Sequence, residues 1–538
     1  NDSLTFWPVE SKMYLMEKQK KIEIYDTTLR DGAQGESVFF TIHDQTKIAE
    51  KLDEFGFDFI EGGWPGSNPK AEEFFNVMRD NPLKHSKLVA FGSTRRKGRS
   101  AEKDPYLKAL IDSGADVIAI FGKSWDLHVK DVLRISLDEN LQLIGDSIYF
   151  LKSKGRTVFF DAEHFFDGYK ENPEYALKTL LVAQENGADR LVLCDTNGGI
   201  LPFEVEEIMR KVIDLMKVPV GIHAHNDSGV AVANSIAAVK SGAEHVQGTI
   251  NGFGERCGNA DLTSIIPILQ MKMGFKCLEE EFLERLTTLS RYVYEIANIV
   301  PPGNQPFVGY SAFAHKGGVH IDAVNKNPRT YEHIQPEKVG NQRRILVSEL
   351  SGKSTILQKF GKYHLDMRPE LVRTILDKVG ELEKNGYQFE SAEASFDLLV
   401  RKILGLYEEP FNVEGFRVIV EERSSGVVAE ATVKIKVGEE TEYTVAEGNG
   451  PVNALDNAIR KALIPAFPYL SDLKLTDYKV RILHPEKATG AVTRVLIESM
   501  DENETWGTIG LSENIIEASW IALIDSFKYK VLKEKKQI

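Results

Sequence analysis

The run Gly221-Ile222-His223-Ala224-His225-Asn226-Asp227 has the composition of a β-strand carrying two histidines one residue apart. Successive side chains on a strand point to opposite faces, so His223 and His225 share a face and can reach one divalent cation. Two structural histidines with satisfied ring nitrogens are the alternative. A hard or borderline cation asks for imidazole nitrogens together with carboxylate or amide oxygens, and for open positions that a substrate can take. Asp31, His223 and His225, with Asn259 as a further donor, meet that requirement. Arg30 precedes Asp31 and is permanently charged and forked, which suits it to the oxygen of a ketone or enolate as negative charge gathers there. The plainer reading of Arg30 is a salt bridge on the rim of the fold.

These residues can meet only if the elements carrying them share one end. From Lys21 to about Gly252, short β-rich segments alternate with longer amphipathic ones. Strands are expected at Ile22-Tyr25, Phe57-Glu61, Leu88-Gly92, Asp116-Phe121, Thr157-Ala162, Arg190-Cys194, Pro219-Ala224 and His245-Gly248. Their starts recur roughly every 25 to 40 residues, the length of a βα unit with its crossover helix. The expected fold class is therefore α/β, a (β/α)8 TIM barrel; a doubly wound sheet rarely needs eight consecutive parallel units. Glu54-Phe55-Gly56, Asp112-Ser113-Gly114 and Glu185-Asn186-Gly187 supply helix stops just before strands.

Catalytic groups of such a barrel sit at the C-terminal ends of its strands. The expected ends are polar after strand one (Asp26 to Gly32), strand two (Glu61), strand three (Ser93-Thr94-Arg95) and strand five (Asp161-Ala162-Glu163-His164). Strand six ends in Asp195-Thr196-Asn197, strand seven in the histidine pair, and strand eight leads to Asn251 and Asn259. Any one of these alone reads as a loop carboxylate or helix N-cap. Their convergence points to a site.

We expect four segments: a leader or extension (1–20), the barrel (21–290), a helical and loop-rich linker and subdomain (291–388), and a C-terminal α+β domain (389–538). In the last, Phe416-Val420 and Ala429-Val437 lead through Gly448-Asn449-Gly450 into a helix at Val452-Leu463. Val480-Leu483 and Val492-Glu498 likewise lead through Thr508-Ile509-Gly510 into Ile515-Phe527, an internal repeat. Two apparent motifs fail. Ser351-Gly352-Lys353-Ser354 lacks the first glycine of a phosphate loop, since Val347 stands there, and reads as a helix start. Asn251-Gly252-Phe253-Gly254 lacks dinucleotide-fingerprint spacing and reads as the loop after strand eight.

With 538 residues, 42% of them hydrophobic, the chain can bury large cores. A net charge of −14 repels phosphate backbones and anionic membranes, which argues against a nucleic-acid or membrane partner. No stretch approaches the roughly 18 consecutive apolar residues of a membrane span. Cys194, Cys257 and Cys277 are too scattered for a disulfide framework or a cysteine zinc site, which suits a reducing cytoplasm. Asn1–Gln19 has no basic region followed by an apolar one, so it is not read as a signal peptide.

The stretch Asp26-Thr27-Thr28-Leu29-Arg30-Asp31-Gly32-Ala33-Gln34 resembles the first signature of the DRE-TIM metallolyases. That superfamily holds the 2-isopropylmalate, homocitrate and citramalate synthases and 3-hydroxy-3-methylglutaryl-CoA lyase. His223 to Asp227, Ala231 to Ser235 and Gly248 to Asn259 together resemble the second signature. The likeness runs on to the C-terminal repeat, which looks like the allosteric dimer domain of the isopropylmalate synthase group. Ala33 departs from the glutamate common at its position.

The resemblance implies that Asp31, His223 and His225 bind a divalent metal (Mn, Mg, Zn or Co), with Asn259 as a further or water-mediated ligand. Arg30 would stabilise the keto oxygen, Thr196 would contact the substrate carboxylate, and Glu163 matches the family's catalytic acidic residue. His320 matches a histidine offered by the partner subunit, joined by Tyr331. The implied reaction is a Claisen-type acyl transfer from acetyl-CoA to a 2-oxo acid, with His320 and Glu163 at the proton abstraction and water cleaving the thioester.

Glu61 to Lys70 and Asp161 to Tyr169 resemble the branch that takes pyruvate, where typical isopropylmalate synthases, which take 2-oxoisovalerate, carry different loops. A hydroxymethylglutaryl-CoA-type lyase would lack the long C-terminal extension. By the same resemblance the chain is a homodimer or higher oligomer. Its C-terminal repeat would take a feedback amino acid, isoleucine, at the two glycine turns, or serve only for dimerisation.

Overall fold

The computed structural model describes residues 20–346, 369–423, 426–483, 490–502 and 504–535. The chain forms two compact units, the first running to Phe313 and including Ile334–Gln342, the second holding Ala314–His333 and the chain from Arg343 onward. Apart from Lys20, the expected leader lies outside the described residues, as do Ser351-Gly352-Lys353-Ser354 and the start of the helix expected there. No described helix is long and apolar enough to cross a membrane.

The first unit closes eight parallel strands into a barrel in chain order. They are β1 (Glu23–Asp26), β2 (Phe59–Gly63), β3 (Lys87–Ser93), β4 (Val117–Lys123), β5 (Thr157–Glu163), β6 (Arg190–Asp195), β7 (Val220–Ala224) and β8 (His245–Gly248). All eight expected strands form, each within two residues of its expected ends. Local chemistry sets the helices between them. Asn68, Asp104 and Asn172 cap helices that each begin with proline, whose missing N–H is one of the unpaired donors of a first turn. Gly56 and Gly187 follow helix ends at φ of +75° and +99°, a region open to glycine at little cost.

Alternation along the strands decides what fills the barrel. Tyr25, Phe59, Phe159 and His245 point inward and their ring centroids lie 5.1 to 6.3 Å apart, an aromatic floor. Two residues further along, the inward positions turn polar, with Glu61, Asp161 and Gln247 all buried. The site stands on this change.

In the second unit, three antiparallel strands (Asn412–Arg423, Gly426–Val437, Glu440–Gly448) precede the helix Pro451–Leu463. Three more (Lys474–Leu483, Val492–Met500, Thr505–Ser512) precede Ile515–Glu534. The repeat is present, with a third strand in each copy that the sequence pattern did not show. Thr508-Ile509-Gly510 is not a turn, because it pairs with Ile497, Leu496 and Val495 in mid-strand. Its glycine serves a close approach: a Cβ at Gly510 would stand 2.0 Å from the Ala518 carbonyl oxygen, and one at Gly448 would stand 2.4 Å from the Ala454 nitrogen. The expected linker and subdomain carries the helices Gly318–Lys326 and Pro369–Lys384 in its described part.

Candidate active site

At the C-terminal mouth of the barrel, Nε2 of His223 lies 3.2 Å and Nε2 of His225 3.8 Å from the same oxygen, Oδ2 of Asp31. The two imidazole nitrogens are 3.2 Å apart. All three residues are buried, and among the described residues this is the one such cluster able to hold a metal ion. Local backbone places each. The amides of Arg30, Asp31 and Gly32 all donate to the carbonyl of Thr27, folding the chain tightly after β1. β7 stops at Ala224, and His225 continues it through a single antiparallel bridge to Asn259.

The donor set fits a divalent cation. Besides two imidazole nitrogens and a carboxylate aimed at one region, the amide nitrogen of Asn259 lies 2.8 Å from Asp31 while its Oδ1 is buried with no partner. A half-turn of that amide presents an oxygen to the same face. Burial alone would raise the Asp31 carboxyl; Arg30, followed by the hydrogen bond to His223, outweighs it and holds Asp31 far below the ordinary range. Burial opposes the charge on His223, but its bond to Asp31 leaves its pKa raised. Burial and then the neighbouring His223 push His225 down to about 4, so it is a neutral donor at pH 7.

A cavity of about 230 Å³ opens beside the cluster and is lined by Arg30, Glu163 and Thr196 as well. Arg30 donates from Nε to Glu61 at 2.5 Å, lies 3.1 Å from Asp31 through Nη1, and sits 3.8 Å over the Phe91 ring. A buried ion pair fixes Arg30, as its plainer reading expects, and the residue also lines the cavity. Glu163 pairs with Lys123. The Thr196 hydroxyl accepts from the amide of His164 at 2.9 Å. Burial, then the charge of Glu61, pushes Asp161 up to about 7. Trp64, Phe91 and Phe121 close one side, with centroids 5.5 to 6.1 Å apart.

His320 and Tyr331 belong to the second unit, where their rings stack at 4.2 Å and both side chains are exposed. In the sequence Glu61 and Asp161 read only as polar strand ends, and Gln247 stands in no motif. That glutamine was findable, because strand alternation places it on the same face as His245 and register sets it opposite His223. No sequence signal pointed to the aromatic wall.

Residues 21–293 match the HMGL-like family, 307–386 the homocitrate synthase post-HMGL domain-like family, and 390–531 the LeuA allosteric (dimerisation) domain. The (R)-citramalate synthase of Geobacter sulfurreducens is 55% identical over 518 residues, 96% of this chain and 98% of that protein. The chain belongs to the (R)-citramalate synthase family. The Aquifex aeolicus (R)-citramalate synthase is 53% identical over 523 residues, 96% of this chain and 99% of its own length. A probable 2-isopropylmalate synthase of Methanopyrus kandleri is more distant, at 32% over 504 residues, 94% of this chain and 97% of its own. Within the (R)-citramalate synthase family, the barrel mouth of this chain thus combines a metal-type donor set, a fixed guanidinium and an aromatic wall in one cavity.

Proposed function

We propose that this chain is an acyltransferase that condenses acetyl-CoA with pyruvate and hydrolyses the thioester, giving (R)-citramalate and CoA. The observation that carries the reading is the buried Asp31, His223 and His225 cluster facing the aromatic wall, in a chain about half identical to synthases of that name along nearly its full length. Asp31, His223 and His225 would hold the divalent cation (Mn, Mg, Zn or Co), with Asn259 as a further donor. When bound, that cation supplies Lewis-acid polarisation of the 2-oxo group. Arg30, aimed by Glu61, neutralises charge on the keto oxygen as it becomes an alkoxide. Thr196 accepts from His164, so its own proton is free to be given to the substrate carboxylate. The pyruvate methyl packs on Trp64, Phe91 and Phe121.

We assign removal of the acetyl methyl proton to Glu163 and His320, with Tyr331 stacked on His320 and the pair offered by a second copy of the chain. The LeuA dimerisation match supports a homo-oligomer, and we place isoleucine as effector in the C-terminal repeat and the enzyme in the cytoplasm. The deciding experiment measures CoA release with pyruvate, 2-oxobutyrate, 2-oxoisovalerate and 2-oxoglutarate offered separately, before and after chelation. Pyruvate should be used best, and chelation should abolish turnover. Preference for 2-oxoisovalerate overturns the acceptor; activity indifferent to complete metal removal overturns the cation.

A further inference from the structure

The residue after Glu163 has a left-handed backbone. His164 sits at φ 56° and ψ 33°, a region that a residue with a Cβ enters only when its surroundings demand it. Two hydrogen bonds use that conformation. The His164 amide donates to Thr196 Oγ1 at 2.9 Å, and its carbonyl accepts from the amide of Gly168 at 3.0 Å in the helix Phe165–Glu171. The ring is buried and held on several sides. Its centroid is 4.1 Å from that of His128 and 5.7 Å from Trp125, and its Nδ1, buried without a hydrogen bond, faces Oδ2 of Asp167 at 3.5 Å. Asp167 in turn accepts from Asn197, the neighbour of Thr196, at 3.0 Å. One residue thus ties together the chain that follows β4, β5 and β6.

We propose that His164 is a positioning residue: its clamped ring holds a left-handed backbone whose amide fixes Thr196 as a hydrogen-bond acceptor and thereby aims the Thr196 proton into the cavity. A hydroxyl has one proton to give. With one lone pair engaged by a backbone amide, the hydroxyl is left as a donor toward an anion in the cavity, and a relaxed residue 164 would remove that constraint. The inference rests on the reading of Thr196 as the contact for the substrate carboxylate. It adds a requirement for the backbone conformation of the residue beside Glu163.

The test compares His164→Val, whose branched side chain resists the left-handed region, with His164→Asn, which tolerates it, and His164→Gly, which permits it without a ring to hold it. All are assayed in the full chain with whichever 2-oxo acid the wild type turns over fastest, so a wrong acceptor and a wrong role for His164 give different results. His164→Val should lower kcat/KM for the 2-oxo acid at least about tenfold, mainly through KM, while KM for acetyl-CoA stays within about twofold. His164→Asn should recover most of the loss and His164→Gly should lie between. In a Thr196→Val background, His164→Val should add no further loss, because both act on one contact. Equal losses for Val and Asn, or additive losses in the double variant, overturn the proposal. If His164→Val does not fold by circular dichroism, the Asn and Gly variants decide: Gly should raise KM several-fold above Asn, and a Gly variant matching wild type overturns the proposal.

Discussion

Oε1 of Gln247 lies 2.9 Å from Nδ1 of His223, and Nε2 of the same amide donates to Asp161 at 3.3 Å. A carbonyl oxygen only accepts, so Nδ1 carries a proton, and Nε2, which hydrogen-bonds Asp31 in the metal-free site, is the nitrogen that would give up its proton to bind a cation. Gln247→Leu should therefore weaken divalent-metal affinity by about 10- to 100-fold while leaving the three ligands in place. Calorimetric titration of the chelated protein with Mn²⁺ checks this; unchanged affinity would mean that the tautomer is set elsewhere.

Glu61 holds two buried partners, Arg30 through Oε1 and the Tyr25 hydroxyl through Oε2, each at 2.5 Å. Glu61→Ala leaves the guanidinium with Asp31 as its remaining carboxylate and the Tyr25 hydroxyl without its acceptor, at a cost of up to roughly 3 to 5 kcal/mol. Denaturant unfolding should show that loss, with turnover falling alongside. Glu61→Gln keeps an acceptor and should lose less on both counts.

Phe121 stacks on Phe91 at 5.5 Å and meets Trp64 edge-on, on the side of the cavity assigned to the pyruvate methyl. Phe121→Leu opens that side without touching Arg30. One methylene of acceptor is worth about 1 to 3 kcal/mol in a fitted pocket, so the ratio of kcat/KM for 2-oxobutyrate over pyruvate should rise by about tenfold or more. An unchanged ratio places the methyl elsewhere.

Two barrel carboxylates should respond to pH in opposite senses. Burial opposes ionisation of Glu23, but hydrogen bonds from His245 and Arg190 outweigh it and lower its pKa from 4.5 to about 2. Its contribution to stability is complete above the unfolded value and fades as pH falls from 4.5 toward 2. Burial raises Asp161 from 3.8 to about 7, so its contribution is complete below 3.8 and fades as pH rises toward 7. In chelated protein, the stability gap between wild type and Glu23→Gln should close on acidification, whereas Asp161→Asn should gain on wild type from pH 4 to pH 8. Melting temperatures from about pH 5 down to pH 2 decide the first, and from pH 4 to pH 8 the second.

Gly510 and Gly448 lie where a helix rests directly on a strand. Gly510→Ala sets a methyl 2.0 Å from the Ala518 carbonyl, an overpacking that costs about 1 to 3 kcal/mol or more. Scanning calorimetry of the full chain should show the transition of the second unit shifted down and that of the barrel unit unmoved.

Sequence alone determined the eight barrel strands to within two residues, because apolar periodicity and turn residues are local properties of the chain. It also determined the metal-type cluster: His223 and His225 sit two apart on one strand, and Asp31 follows the first strand. Tertiary structure alone decided what surrounds that cluster. Glu61, Gln247 and the aromatic wall are far apart in the chain and acquire their tasks only when closure of the barrel turns alternate residues of different strands toward one axis. It also decided the fate of Thr508-Ile509-Gly510, whose glycine looks like a turn in the sequence. In the fold, that glycine makes room for the carbonyl of Ala518, eight residues further on in the following helix, a steric demand that no local pattern records.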